Sequence, residues 1–225
     1  MSKPTTHTRN RPAARSPRPR RPARRTNVLP ILLGVVVAMA AIAIAIGVAS
    51  RSGDDGTTVA QNREVVASGR ALTPYAGTAA DPAVGQPIPD LRGEGFDGRT
   101  IDVAGNGTPK LIIFLAHWCP HCQAEVPRVV DWLAASGTPQ GVELVAVSSG
   151  VDRNRPNYPP SSWLEREGWT IPTIADDTEG TAATMFGLTG YPYFVAVDGQ
   201  GRVAARASGE LSVGELEALL AKARG

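Results

Sequence analysis

The chain has 225 residues, a formal net charge of +2 and only two cysteines, three positions apart. That length allows one sizeable domain with additional segments. Two cysteines so close exclude the multi-bridge framework of a small secreted fold, and a loop this short gives a structural disulfide little entropic value. Charge is unevenly spread. Residues 1–27 hold nine of the 23 basic residues and none of the 21 acidic ones. Beyond residue 50 lie 14 basic and all 21 acidic residues, a net charge of −7.

The first 27 residues are rich in Pro and Arg and lack apolar periodicity, which predicts disorder. A basic arm alone would suit nucleic acid. Here it abuts an apolar span, so it reads as a topology signal and no nucleic-acid partner is expected. The span, Val28 to Ala49, is 22 residues without a charge. At ~1.5 Å per residue it reaches ~33 Å, close to the hydrocarbon thickness of a bilayer. It exceeds the ~7–15-residue apolar core of a cleavable signal peptide. No cysteine follows it to carry a lipid, and core helices are seldom apolar all round at this length. The expectation is an uncleaved signal anchor, one transmembrane helix over 28–50. Its basic N-terminus would be cytoplasmic and its C-terminal body extracytoplasmic, where disulfides persist. The 20 Arg against 3 Lys points to a GC-rich bacterial genome, hence a bacterial cell membrane. Residues 51–84, rich in Gly, Ala, Thr and Asp, read as a flexible linker, which leaves 85–225 as the folded body.

Along the body, Phe96 to Ile101 carries an Asp97-Gly98 turn signal and predicts a small hairpin. Lys110 to His117 contains the run LIIFLA, a fully buried strand by pattern. A helix follows, with Val126, Val129, Val130 and Leu133 on one face. Val142 to Val147 reads as the next strand, which closes a right-handed βαβ unit. A short helix is predicted over 160–168, a strand over Thr170–Ala175 and a helical turn or two over Thr181–Phe186. Pro192–Asp198 and Arg202–Ala207 read as a hairpin joined by Gly199-Gln200-Gly201. The last helix spans Ser212–Ala223, with Val213, Leu216, Leu219 and Leu220 on one stripe and a Ser212/Glu215 capping box. Parallel strands, then an antiparallel hairpin and a closing helix, imply a three-layer α/β/α domain with a mixed central sheet.

The chemistry-bearing motif is Cys119-Pro120-His121-Cys122, placed where the buried strand hands over to the helix. Helix N-termini favour thiolates, because unpaired N–H groups and the helix dipole stabilise negative charge. Pro120 suits the first helical position, where its missing N–H costs nothing. Cys119 is therefore read as the attacking sulfur, and Cys122 as the group that returns to release a mixed disulfide. A positive charge on His121 would stabilise a Cys119 thiolate and make the disulfide a stronger oxidant. A metal site has four candidate ligands, His117, Cys119, His121 and Cys122. They are too close in sequence to surround a tetrahedral ion without breaking the local structure, so no metal is expected. Covalent haem attachment needs a histidine after the second cysteine, and residue 123 is Gln.

From Val84 to Arg224 the chain resembles the thioredoxin superfamily, and within it the membrane-tethered TlpA/ResA-type oxidoreductases. Phe114-Leu115-Ala116-His117-Trp118-Cys119 is similar to that group's F-x-A-x-W-C. Glu125 and Pro127 resemble its C-x-x-E-x-P, Gly190-Tyr191-Pro192 its cis-proline loop, and Asp198 with Gly199 and Gly201 its I-D-x-x-G hairpin. The resemblance implies a thioredoxin-like fold, Cys119 as nucleophile and Cys122 as resolving cysteine. It implies a cis Pro192 beside the disulfide and Tyr191 offering backbone hydrogen bonds to a substrate strand. Trp118 would either shield the dithiol or pack as an ordinary aromatic. Glu125 would either relay a proton to Cys122 or face solvent on the helix. Pro127 would kink the helix. Ile113 stands where thioredoxin has a buried Asp, and the Pro-His pair resembles the strongly oxidising DsbA group.

The expected function is disulfide exchange with exported thiol- or disulfide-containing proteins, using the redox-active Cys119–Cys122 disulfide and no other cofactor. The Pro-His pair leans it towards an oxidant or isomerase. The alternative is a dedicated reductase of the cytochrome c maturation kind, and a membrane redox partner is expected to serve the dithiol. A peroxiredoxin-like peroxidase fits less well, because Ala116 occupies that family's Thr position. A metal-binding carrier also fits less well, because no histidine follows His121.

Overall fold

The computed structural model describes residues 59–78 and 80–225. The basic tail, the apolar span and residues 51–58 lie outside the described residues. Eight strands and four helices are present among the described residues. The strands are β1 (Val66–Ser68), β2 (Asp90–Glu94), β3 (Thr100–Val103), β4 (Lys110–Leu115), β5 (Glu143–Ser148), β6 (Thr173–Ala175), β7 (Tyr193–Val197) and β8 (Val203–Ser208). The helices are α1 (Pro120–Ser136), α2 (Pro160–Arg166), α3 (Thr181–Met185) and α4 (Val213–Arg224). Among the described residues no helix is long and apolar enough to cross a membrane.

The apolar run of β4 becomes the central strand of a five-stranded sheet ordered β6-β5-β4-β7-β8. It pairs parallel with β5 and antiparallel with β7, so the sheet is mixed. A strand covered on both faces must be apolar at every position rather than at alternate ones. All six residues of β4 are buried. Leu111, Ile113 and Leu115 face one core with α1, α2 and α4, while Ile112 and Phe114 face the other core with α3 and β1–β3. Each such side chain contributes about 1.5–3 kcal/mol by leaving water. Lys110 is the polar exception. It is fully buried, and its ammonium is held by Asn106 Oδ1 at 2.7 Å, Thr108 O at 3.1 Å and Glu143 Oε2 at 2.9 Å.

Two helix faces differ from the periodicity. In α1 the buried stripe is Cys122, Glu125, Val126, Val129 and Trp132, and Val130 and Leu133 lie at its margin. Helix phase here is set by its start, where Cys122 turns inward. The helix runs through Pro127 to Ser136. In α4, Val213 is exposed while Leu216, Leu219, Leu220 and Ala223 are buried, and the Ser212/Glu215 capping box is formed.

The expected linker over 51–84 is too long. Val65, Leu72 and Ala83 are buried, and β1 pairs antiparallel with β2 in a three-stranded sheet. Leu72 and Tyr75 donate backbone hydrogen bonds to Met185 O and Gly187 O, both at 2.9 Å. Gly187 has φ +68°, and a Cβ there would lie 2.6 Å from Thr73 O, so only glycine permits this approach. An ion pair locks the segment. Arg206 on β8 is fully buried against Asp81, and also donates to Thr73 O at 2.8 Å and to the Tyr193 hydroxyl at 3.0 Å. Composition hid this, because its anchors are isolated residues in a polar stretch.

The Arg206 hydrogen bond holds the Asp81 carboxyl below the ordinary carboxylate range. Such a group contributes stability that is present above its unfolded pKa of about 3.9 and lost as pH falls through the lower folded value. Asp81→Ala leaves the Arg206 guanidinium buried without its partner. We expect it to cost about 3–5 kcal/mol at neutral pH, read by chemical denaturation, with a smaller difference from the parent chain at pH 3 than at pH 7.

Candidate active site

β4 delivers the chain at Ala116 to a tight junction ahead of α1. Cys119 is the N-cap residue, in extended backbone conformation, and Pro120 follows as the first helical residue. The Cys119 N–H donates to Ala116 O at 3.0 Å, which folds the junction back on the strand end. Both cysteines are free thiols here. Cys119 retains 7% of its surface and Cys122 none. The Cys119 thiol donates to Tyr191 O at 3.6 Å, and the Tyr191–Pro192 peptide is cis. That loop precedes β7, the antiparallel neighbour of β4, so the sheet itself brings it to the first cysteine. Cys122 lies beneath and accepts the Ala116 N–H at 3.5 Å. Burial pushes its thiol far up, the Ala116 hydrogen bond opposes this, and Cys119 and the charge of Glu125 add to it. The pair thus divides into one cysteine that keeps a little exposure and one fully buried thiol that gives up its proton reluctantly.

His117 is fully buried and does not face the cysteines as a ligand. Its Nδ1 lies 2.6 Å from Pro156 O, and its Nε2 is 3.2 Å from the Asp152 N–H. Those partners require Nδ1–H to donate and Nε2 to accept, which is the neutral ring. Burial accordingly holds His117 below the usual imidazole range. With both nitrogens taken by backbone, it has no lone pair for a metal. Among the described residues no cluster of three or more His, Cys, Asp or Glu side chains is placed to hold a metal. His117 instead pins the loop 150–159, helped by Asn157 Nδ2 donating to His117 O at 3.3 Å. Trp118 Nε1 donates to Gly150 O of that loop at 2.7 Å, and the ring stands edge-on to Tyr191 at 6.0 Å. Trp118 therefore both packs and walls the approach to Cys119.

On the other side of the dithiol four ionisable groups form a chain. The His121 ring nitrogen Nδ1 meets Glu210 Oε1 at 2.9 Å. Glu210 Oε2 meets Arg128 Nη2 at 3.2 Å, and Arg128 Nη1 pairs with Glu125 Oε2. Glu125 is 1% exposed, so the solvated-face reading is overturned. It lies inward because it follows Cys122 by three residues on the same face. Its Oε2 also accepts the Leu211 N–H at 3.0 Å, while its buried Oε1 has no partner. Burial raises the Glu125 carboxyl above its ordinary range, with Leu211 and Arg128 opposing. The hydrogen bonds from His121 and Arg128 hold Glu210 below its ordinary range.

A family model described as Redoxin matches residues 83–220. The chain belongs to the Redoxin family. Among similar proteins, the thiol:disulfide interchange protein DsbE of Escherichia coli K12 is 30% identical over 133 residues, covering 57% of this chain and 67% of that protein. DsbE of Pasteurella multocida is 30% identical over 134 residues, covering 57% and 68%. A solved structure from Chlorobium tepidum, described as a DsbE-type thiol:disulfide interchange protein, shares the fold with a TM-score of 0.53. It is 21% identical, covering 63% of this chain and 98% of that one. This Redoxin-family chain is a thiol–disulfide oxidoreductase, and enzymes of this kind use a redox-active cysteine pair rather than an external cofactor.

Sequence reading placed Cys119, Pro120, His121, Cys122, Trp118, Glu125, Tyr191 and Pro192 at the site, and the fold brings all eight together. It missed Glu210 and Arg128. Arg128 lies three residues beyond Glu125, an ion-pair spacing that was visible. Glu210 arrives from the β8–α4 connection 82 residues away, which no local pattern reveals. In this Redoxin-family site Glu125 Oε1 is buried without a partner among the described residues, and the Glu125 carboxylate acts electrostatically on Cys122. If it also relays the Cys122 proton, we expect Glu125→Gln to slow the resolving step by about 10²-fold while the first attack by Cys119 is largely spared, seen as accumulation of mixed disulfide in rapid acid quench.

Proposed function

We propose that this chain is a membrane-tethered, extracytoplasmic enzyme that exchanges disulfides with exported proteins, and that it works in the reducing direction. The carrying observation is the pairing of His121 with Glu210. Strong oxidants of this chemistry stabilise the attacking thiolate. Here the His121 ring is turned to a carboxylate, so any positive charge it carries is balanced by Glu210. The buried Glu125 beside Cys122 adds negative charge near the dithiol. Both features favour keeping the electrons available for donation. The tether rests on the apolar span over 28–50 with its basic flank.

The step balances within the dithiol. Cys119 thiolate attacks one sulfur of a substrate disulfide, and the other substrate sulfur leaves as thiolate and takes a proton. Cys122, deprotonated by Glu125, then attacks the Cys119 sulfur and expels the second substrate thiol. Two electrons pass to the substrate and the chain is left as the Cys119–Cys122 disulfide. A membrane dithiol donor must re-reduce it. The Cys119 thiol's contact with Tyr191 O marks where an extended substrate segment would lie, along the Tyr191-Pro192 loop.

The Pro-His pair favours the opposite reading, an oxidant or isomerase. The reduction potential of the full-length chain decides between them. We expect a value nearer to thioredoxin's ~−270 mV than to the ~−120 mV of DsbA, and a value near the latter would make it an oxidant.

A further inference from the structure

Loop 150–159 is fastened to His117 and Trp118, next to Cys119 in the chain, and carries two cations that the chemistry above does not use, Arg153 and Arg155. Asp152 Oδ1 accepts the Asn154 N–H at 2.9 Å, and the Arg155 N–H returns to Asp152 O at 3.1 Å. His117 and Trp118 fasten both limbs of this turn. At its tip the Arg155 guanidinium lies 4.5 Å from the Trp118 ring centroid. A stacked guanidinium keeps its planar donors directed outward and loses little further freedom when they are used.

Among the described residues those donors have no partner: Arg155 is in no ion pair, and its side chain makes no hydrogen bond. The nearest loop carboxylate, Asp152, is occupied with the turn. Across the dithiol the opposite holds: His121 and Arg128 are both consumed by Glu210 and Glu125. Of the two, Arg155 is the one stacked on Trp118, and that position makes it relevant. Trp118 adjoins Cys119 in the chain and stands edge-on to Tyr191, whose carbonyl holds the Cys119 thiol. Arg155 is therefore one aromatic ring away from the wall of the attacking sulfur's entrance. The chain beyond residue 50 is acidic, with 14 basic against 21 acidic residues, so an acidic partner meets general repulsion, to which the loop with Arg153 and Arg155 is a local exception.

We propose that Arg155 is a specificity-determining residue that receives the carboxylate of an Asp or Glu flanking the reacting cysteine of the substrate protein. This rests on the reading that the substrate is a protein disulfide. Arg155 takes no part in the thiol chemistry. It selects which disulfide-bearing segment settles beside Cys119.

The test uses the reduced full-length chain in detergent and two disulfide-bonded peptides that differ only in Glu or Gln next to one cysteine. Single-turnover reduction rates are measured for the parent chain, Arg155→Gln and Arg155→Lys. A glutamate also alters the peptide's own thiol chemistry, so the decisive quantity is how the Glu-to-Gln rate ratio changes between variants. We expect the ratio to fall about threefold in Arg155→Gln at low salt and to be largely kept in Arg155→Lys. The difference should shrink at ~0.5 M salt, where exposed charges are screened. An equal ratio in the parent chain and Arg155→Gln overturns the assignment and leaves the protein-disulfide reading standing. Failure of the parent chain to reduce either peptide contradicts that reading itself, and this inference falls with it.

Discussion

Everything at the site depends on β4 being hydrogen-bonded on both edges and buried on both faces. A strand so confined can leave the sheet only at its end. That places the junction from Ala116 to Cys119 at the sheet's rim, with the β5 loop on one side and the turn into β7 on the other. Cys119 therefore meets Tyr191-Pro192 because β4 and β7 are antiparallel neighbours, and His117 and Trp118 meet loop 150–159 because β4 and β5 are parallel ones. The helix that must follow begins at Pro120, and one turn later it carries Cys122 back under the strand end. The two sulfurs acquire different surroundings from one backbone decision: the first keeps a window to solvent and the second has none.

The charges around the dithiol are arranged asymmetrically. On the α1 and α4 side they are mutually satisfied, from His121 through Glu210 and Arg128 to the buried Glu125. In the proposed reducing direction, Glu210 would balance any positive charge that His121 brings to the dithiol. On the loop side, Arg155 is stacked on Trp118 and, among the described residues, is in no ion pair. The proposed recognition of an acidic substrate segment would use this wall, by approach over Trp118. The site's buried histidine is spent on holding that wall in place.

Much of this was legible in the sequence because it depends on short-range pattern. The run LIIFLA announces a doubly covered strand, the motif's place before the α1 periodicity marks the attacking cysteine, and Ser212 with Glu215 announces a helix start. What was hidden depends on long-range placement. Glu125 reads as a surface charge until the phase of α1 is known, and that phase is set by Cys122 turning inward. The pairing of Arg206 with Asp81, 125 residues apart, converts an apparent linker into part of the body. No spacing reveals the cis Tyr158–Pro159 bond, or that both nitrogens of His117 hold loop backbone. The cis Tyr191–Pro192 bond was reachable only through the family resemblance.

The central claim is the division of labour between the two sulfurs at this junction, and trapping tests it most directly. Cells expressing the full-length chain as Cys122→Ser should accumulate reductant-sensitive mixed disulfides through Cys119 with exported proteins, while Cys119→Ser should accumulate none. Adducts forming equally in Cys119→Ser, or only with cytoplasmic proteins, would contradict the account.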